Sequence, residues 1–343
     1  MSSPALREFV RSLPKAELHL HVEGTLEPEA AFELAGRNGV RLPYDSIEDL
    51  RRAYAFTDLQ SFLDLYEGGA AVLRTEADFR DLAKAYLDQA STQGVVHAEI
   101  MFDPQMHTER GVALGSVIEG LSAALEDARH ERGTTSRLIL SFLRDRGPDA
   151  AMRTFQEARP WLDRIAAVGL DSAEVGHPPA AFREVYAAAR AEGLAAVAHA
   201  GEEGPPGYVW ETLDTLGVVR IDHGVRAVED PRLLDRLAAD QVPLDVCPLS
   251  NLALKVVPDL ASHPLPALMD AGVLVTINSD DPAYFGGYVE ENYVAVGSAF
   301  DLDASTLAQL AGNSFTASLL PRDEVEAHLT RIDSLVESYR DGR

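Results

Sequence analysis

Near its N-terminus the chain reads Glu17-Leu18-His19-Leu20-His21-Val22-Glu23-Gly24-Thr25, a run in which polar and apolar residues alternate. This alternation is typical of a β-strand, on which side chains at i and i+2 point to the same face. His19 and His21 can therefore present two imidazoles to one point, and imidazole is a common ligand for zinc. Gly24 then allows a sharp turn. Because two ordinary histidines on a half-buried strand would give the same pattern, the rest of the chain must decide between the two interpretations.

Seven further short apolar runs follow along the chain, and longer segments with helical periodicity separate them. The predicted strands are residues 16–21, 95–101, 137–143, 165–170, 194–199, 218–223, 242–247 and 273–278. Eight strand–helix units in 343 residues predict an α/β fold, the (β/α)8 TIM barrel. We expect a single barrel domain over residues 1–343, with extra lid helices at roughly residues 45–92, between the first and second strands.

The composition limits the classes of partner. Lys and Arg number 30 against 55 Asp and Glu, which gives a net charge of −25 and argues against nucleic acid or an anionic membrane surface as a partner. The single cysteine, Cys247, excludes an intrachain disulfide and a cysteine-rich zinc site. We find neither a signal-peptide pattern nor an apolar run of membrane-spanning length, so we expect a cytoplasmic enzyme with a small-molecule substrate. The sequence does not indicate an oligomeric state.

Titratable residues stand at the predicted C-terminal ends of four strands, where barrels of this class carry their chemistry. They are His19 and His21 on the first strand, His199 on the fifth, His223 on the sixth, and Asp280 and Asp281 after the eighth. Each alone is compatible with a structural role, such as a buried histidine bonded to a carbonyl or a solvated aspartate in a turn. Their joint placement at one rim predicts a shared site.

Three imidazoles and one carboxylate suit a single Zn²⁺ ion with an open position for water. A binuclear site usually needs a bridging ligand, often a modified lysine, and none of Lys15, Lys84 and Lys255 lies at a predicted strand end. The sequence therefore favours one metal ion over two. Three other polar residues are predicted to lie outside the site: His97, Glu99 and His107.

Five motifs, in this order, resemble the adenosine/adenine deaminases of the amidohydrolase superfamily. They are His19-Leu20-His21, His199-Ala200-Gly201-Glu202, Asp222-His223-Gly224, Cys247-Pro248-Leu249-Ser250-Asn251 and Asn278-Ser279-Asp280-Asp281-Pro282. The resemblance extends from about residue 13 to about residue 315. It implies an enzyme with one Zn²⁺ per chain that releases ammonia from C6 of a 6-aminopurine. The implied metal ligands are His19, His21, His199 and Asp280.

The resemblance also implies roles for the remaining motif residues. Glu202 corresponds to the proton donor, and a protonated carboxyl at N1 would neutralise the charge that builds on the ring. His223 and Asp280 would hold the attacking hydroxide and move its proton, while Asp281 and Gly201 would contact the purine. The Cys-x-x-Cys pair of the other zinc deaminase class is absent, which excludes polynucleotide deamination by that route.

Two departures from the adenosine deaminase pattern favour the adenine deaminase branch. Glu23-Gly24 stands where Asp-Gly is usual, and Asp171-Ser172-Ala173-Glu174-Val175-Gly176 stands where a glycine-containing turn approaches N3. A carboxylate at Glu174 would accept the N9–H of a free base and crowd a ribose. The predicted reaction is therefore adenine and water to hypoxanthine and ammonia. The alternative for Glu174 is a salt-bridged loop residue.

Two other functions remain as alternatives. One is deamination of adenosine, or of a modified nucleoside such as aminodeoxyfutalosine. The other is a non-catalytic metal-binding barrel. Intact Glu202 and His223 argue against the latter, since neither is needed merely to hold zinc.

Overall fold

Eight parallel strands surround the centre of the structure, a computed structural model that describes residues 3–341. Each strand pairs with the next one along the chain, in the order β1 to β8. The strands are β1 Lys15–His21, β2 Val95–Phe102, β3 Thr135–Leu143, β4 Ile165–Asp171, β5 Ala195–Ala200, β6 Arg220–His223, β7 Leu244–Val246 and β8 Val275–Ile277. The predicted number of strands and the (β/α)8 barrel class are confirmed.

The barrel is closed at its C-terminal rim by backbone hydrogen bonds between the end of β1 and the segment after β8. Asp280 N–H donates to His19 O at 3.1 Å, and His21 N–H donates to Asp280 O at 3.0 Å. This closure brings the first and the last of the sequence motifs into direct contact.

Seventeen α-helices precede, connect or follow the strands in the described part of the chain. They are α1 Ser3–Ser12, α2 Pro28–Asn38, α3 Ile47–Ala53, α4 Leu59–Ala70, α5 Glu76–Thr92, α6 Pro104–Thr108, α7 Leu114–Arg132, α8 Pro148–Ala158, α9 Arg183–Ala191, α10 Pro206–Glu211, α11 Pro231–Asp240, α12 Pro248–Ala253, α13 Leu265–Asp270, α14 Pro282–Phe285, α15 Val289–Ala299, α16 Ala304–Thr316 and α17 Arg322–Asp341. Between residues 3 and 341, no helix is long and apolar enough to cross a bilayer.

The segment predicted as lid helices, residues 45–92, has two parts with different surroundings. Helix α4 begins with a capping box between Asp58 and Ser61, and its apolar face lies over the barrel mouth. Helix α5 instead packs against α7 on the outside of the barrel, as an ordinary connecting helix does. Helix α4 is thus the part of this segment that lines the mouth, and the role of residues 45–92 as a lid stays a prediction.

Candidate active site

Four side chains at the C-terminal rim bring their ligand atoms within 4.8 Å of one another: His19, His21, His199 and Asp280. His19 Nε2 lies 3.2 Å from Asp280 Oδ1, and His21 Nε2 lies 3.2 Å from His199 Nε2. His21 Nε2 is also 3.6 Å from Asp280 Oδ1. The strand alternation seen in the sequence thus directs both β1 histidines to one point.

This arrangement fits a tetrahedral metal ion. Ligands at about 2.0–2.2 Å from zinc are separated from one another by about 3.3–3.6 Å. The spacings of 3.2 to 3.6 Å between the Nε2 and Oδ1 atoms match that geometry. Two imidazole nitrogens that face each other also need a proton or a cation between them, and a shared metal ion supplies that cation.

Two of the histidines are oriented through their second ring nitrogens. His199 Nδ1 lies 3.2 Å from Asp222 Oδ2, and His19 Nδ1 lies 3.3 Å from the backbone oxygen of Asp245. Burial opposes ionisation of Asp222, but the contact with His199 and the positive charges of His19 and Arg220 together outweigh it and lower the pKa of that carboxyl to about 2. Such outer contacts fix the imidazole rings of metal ligands so that Nε2 faces the ion.

Glu202 and His223 adjoin the four-residue cluster. His223 Nε2 lies 3.5 Å from Glu202 Oε2 and 3.8 Å from Asp280 Oδ2. Burial raises the pKa of the Glu202 carboxyl well above its ordinary value, and the charge of Asp280 raises it further. Burial lowers the pKa of His223 well below its ordinary value. The pair therefore combines a carboxylic acid with a neutral imidazole, which can donate and accept protons in the cavity.

The backbone is unusual at two of these positions. His223 and Asp280 have φ values of 64° and 65°, in the left-handed region that non-glycine residues rarely adopt. Such a conformation costs about 1–3 kcal/mol and persists where the surrounding structure enforces it, often at active sites. Here the β1–β8 closure enforces it at Asp280.

A cavity opens beside the cluster. Its apolar wall consists of Leu59, Phe62, Leu63, Tyr66, Met106, Leu143, Leu254 and Phe285. Its polar residues are His21, Glu67, Asp103, Asp171, Ser172, His199, Glu202, His223, Asp280 and Asp281. A flat aromatic ring can thus lie against apolar side chains while its edges meet polar groups.

Comparison with known proteins assigns the family. A sequence profile described as "Adenosine deaminase" matches residues 14–335. The chain belongs to the adenosine deaminase family. It is 62% identical over 328 residues to an adenine deaminase of Streptomyces coelicolor, covering 96% of each chain. It is 54% identical over 335 residues to an adenine deaminase of Caulobacter vibrioides, covering 98% of this chain and 97% of that one.

Solved structures of similar proteins agree with this assignment. The adenine deaminase of Arthrobacter aurescens superimposes with a TM-score of 0.94 at 50% identity, covering 95% of this chain and all (100%) of that one. An amidohydrolase from Burkholderia ambifaria, solved with bound Zn, gives a TM-score of 0.90 at 27% identity, covering 98% and 95% of the two chains. The resemblance deduced from the five sequence motifs is confirmed.

The structure places Glu174 away from the cavity and against the loop after β5. Its carboxylate is 2% exposed and accepts four backbone N–H groups of the loop after β5. Gly201 N–H donates to Oε1 at 2.6 Å, and the N–H groups of the next three residues donate to Oε2 at 2.8–3.1 Å. Glu174 does not line the cavity. It therefore holds the loop that carries Glu202, and the substrate contact expected of it finds no support in this geometry.

Gly201 and Asp281 occupy different positions relative to the cavity. Gly201 provides its N–H to Glu174 and does not line the cavity, so the purine contact expected of it finds no support in the geometry. Asp281 does line the cavity. It packs against Gly24 so closely that a Cβ on that glycine would overlap Asp281, with 2.6 Å to its Cα. Gly24 is thus required for a close approach between the β1 and β8 loops.

Three polar residues that the sequence placed outside the site lie away from the cavity. His97 Nδ1 bonds Thr135 Oγ1 at 2.7 Å, and Glu99 accepts from Arg220 inside the barrel. His107 Nε2 lies 2.7 Å from Glu23 Oε1. None of these side chains lines the cavity.

Among the cavity residues that the sequence analysis did not predict are two buried carboxyl groups at strand ends: Asp103, directly after β2, and Asp171, the last residue of β4. Both stand at strand ends, so the rule that selected His19 and Asp280 would also have selected them. Asp103 was not predicted because it precedes Pro104, and this pair is typical of an ordinary helix start. Asp171 was not predicted because the sequence pattern places it in the loop after the fourth strand.

Proposed function

We propose that this protein is a zinc-dependent adenine deaminase that converts adenine and water to hypoxanthine and ammonia. The observation that carries the proposal is the near-full-length similarity to adenine deaminases, up to 62% identity over 96% of each chain. The cavity beside the histidine cluster supports it, because its apolar wall and polar edges suit a purine. We propose further that the protein acts in the cytoplasm on a small molecule, without nucleic acid, as one barrel domain over residues 1–343.

We propose that His19, His21, His199 and Asp280 hold one Zn²⁺ per chain. The near-tetrahedral spacing of their ligand atoms supports this assignment. Zinc supplies a hydroxide nucleophile at neutral pH, because it lowers the pKa of a bound water. The remaining steps belong to residues of the chain itself.

In this proposal, Glu202 gives its proton to N1 of the purine as the nucleophile adds at C6. Its burial next to Asp280 supports this role, since a neutral carboxyl is needed at that moment. His223 lies between Glu202 and Asp280 and is positioned to orient the nucleophile and to carry a proton to the leaving amine. Asp281, which follows β8 and lines the cavity, would also contact the purine.

The proposal is tested by measuring ammonia release from adenine, adenosine and a 5′-modified adenosine, together with the zinc content of the purified protein. We expect turnover of adenine, at least ~100-fold above either nucleoside in kcat/KM, because sites built around a hydrogen-bonding group reject analogues that lack it. Removal of the metal with a chelator should abolish activity, and added Zn²⁺ should restore it. A higher kcat/KM for a nucleoside than for adenine would show that the substrate is a nucleoside. Full activity without any transition metal would refute the mechanism.

A further inference from the structure

A group of buried charges lies in the barrel interior, on the N-terminal side of the four proposed metal ligands. Arg220, the first residue of β6, is fully buried and meets two carboxyl groups that are buried as completely. Its Nη1 donates to Glu99 Oε2, and its Nε forms an ion pair with Asp245 Oδ2. The interior of a (β/α)8 barrel is usually filled by layers of branched apolar side chains. A guanidinium and two carboxyl groups therefore occupy a place where packing alone would favour valine, isoleucine or leucine.

The stability of the fold does not by itself explain these buried charges. Moving charged groups from water into the interior carries a desolvation cost, and their mutual attraction often fails to exceed it. Replacing a buried ion pair by apolar residues of similar volume is accordingly often neutral or even stabilising. Buried charges of this kind therefore call for a second role, such as the positioning of a neighbouring group, and the contacts of Arg220 show which group that is.

Arg220 completes a closed ring of polar contacts that includes the backbone of β1. Its Nη2 donates to the backbone oxygen of Leu18 at 2.9 Å. The backbone N–H of Leu18 donates to Asn278 Oδ1 at 2.9 Å, and Asn278 Nδ2 donates to Thr276 Oγ1 at 2.8 Å. Thr276 Oγ1 in turn donates to Asp245 Oδ1 at 2.7 Å, and Asp245 pairs with Arg220. The ring thus joins β1, β6, β7 and the end of β8, and it fixes the peptide groups on both sides of Leu18.

His19 lies between two members of this ring. It follows Leu18 directly, so the backbone oxygen that Arg220 holds belongs to the peptide bond leading into His19. On its other side, His19 Nδ1 lies 3.3 Å from the backbone oxygen of Asp245. With Nδ1 directed at that oxygen, His19 Nε2 faces Asp280 Oδ1 at 3.2 Å. Arg220 therefore contacts both the backbone that carries the imidazole and the residue whose carbonyl orients it.

We propose that Arg220 is a positioning residue of the metal centre, which fixes Leu18 and Asp245 so that His19 presents Nε2 to the ion. This inference rests on the zinc site of the proposed function. Arg220 does not line the cavity, so its effect on the metal passes through His19. Outer contacts of this kind fix the orientation of ligand histidines and raise the affinity for the metal.

The experiment measures the Zn²⁺ affinity of Arg220→Lys by competition with a chelator. Lysine keeps the positive charge, but its single ammonium group cannot reproduce the planar fork that contacts Glu99, Asp245 and Leu18 together. We expect the affinity to fall about 10–100-fold, as is typical when an outer contact of a ligand histidine is lost. The absorption spectrum of the Co²⁺-substituted protein should change as well, because one ligand is displaced. The KM for adenine should stay close to the native value, since Arg220 lies outside the cavity.

Lys15→Met is the matched control, because Lys15 is another fully buried cation and belongs to β1. Its Nζ donates to the backbone oxygens of Val10 and Leu13, outside the ring. This variant should unfold at a lower urea concentration but bind Zn²⁺ as tightly as the native protein. An Arg220→Lys protein that is only less stable, with native Zn²⁺ affinity, would show a purely structural role and overturn the inference. An equal loss of affinity in Lys15→Met would also overturn it.

A second variant decides the question if Arg220→Lys does not fold. Thr276→Val keeps the shape of the side chain and removes no charge, but it breaks the ring at the hydroxyl that joins Asn278 to Asp245. We expect its Zn²⁺ affinity to fall at least about threefold, because the orientation of His19 is then less well fixed. Native affinity in folded Thr276→Val would in that case refute the positioning role.

All these affinities are measured without substrate, which separates this inference from the proposed function. A native protein that binds no Zn²⁺ refutes the metal site itself. Tight binding of Zn²⁺ by both the native and the Arg220→Lys proteins refutes only the role of Arg220.

Discussion

Replacing Glu174 by glutamine tests whether this residue holds the catalytic loop rather than the substrate. In the structure, one carboxylate oxygen accepts a single backbone N–H and the other accepts three. A glutamine side chain retains the most hydrogen bonds when its single oxygen accepts from the three N–H groups. Its NH2 group then faces Gly201 N–H, whose nitrogen lies 2.6 Å from Oε1 in the native protein. The substitution thus creates a donor facing a donor.

The magnitude follows from these four bonds. One hydrogen bond to a charged group is lost, at about 1.5–3 kcal/mol, and the other three lose their charged acceptor. We therefore expect the free energy of unfolding to fall by about 2–4 kcal/mol. Because the loop carries Glu202, a displacement near 1 Å should also lower kcat for adenine by up to about 10²-fold.

The assay combines urea unfolding with steady-state kinetics and zinc analysis. Glu203→Gln is the control, because Glu203 belongs to the same loop and contributes its N–H, but its half-buried side chain does not line the cavity. An unchanged unfolding midpoint together with kcat within twofold of native would refute the structural role. A selective loss on adenine relative to 9-methyladenine would restore Glu174 as the N9 contact.

Three further substitutions give separate outcomes. Glu202→Gln should keep zinc but lose at least about 10²-fold in kcat, because an amide cannot donate a carboxylic proton; a loss below tenfold would remove Glu202 from the acid role. Asp222→Asn should weaken zinc binding about 10–100-fold in chelator competition, since it perturbs the outer contact of a ligand histidine; unchanged competition would contradict this. Gly24→Ala should lower kcat/KM by displacing Asp281, whereas Gly36→Ala, with open space at its Cα, should remain near native; equal activities would contradict the close packing.

The sequence was sufficient for the barrel and for the convergence of three histidines and Asp280, because both depend on strand periodicity. A two-residue period determines which side chains of β1 share a face, and strand order determines which ends are neighbours. Strand periodicity predicts side-chain directions only as far as the last residue of a strand. Glu174 lies three residues beyond β4, after Ser172, whose φ of 71° turns the chain. The direction of its side chain depends on this turn, so the sequence pattern alone could not predict its backbone partners in the loop after β5.

The division of the rim into two halves explains why the family was easier to predict than the substrate. The five motifs come from the half that carries metal ligands and proton-transfer groups, and deamination of any 6-aminopurine needs that chemistry. Discrimination between a base and a nucleoside must come from contacts with the opposite edge of the ring. Those contacts must come from cavity residues outside the five motifs, among them Leu59 and Phe62 of α4.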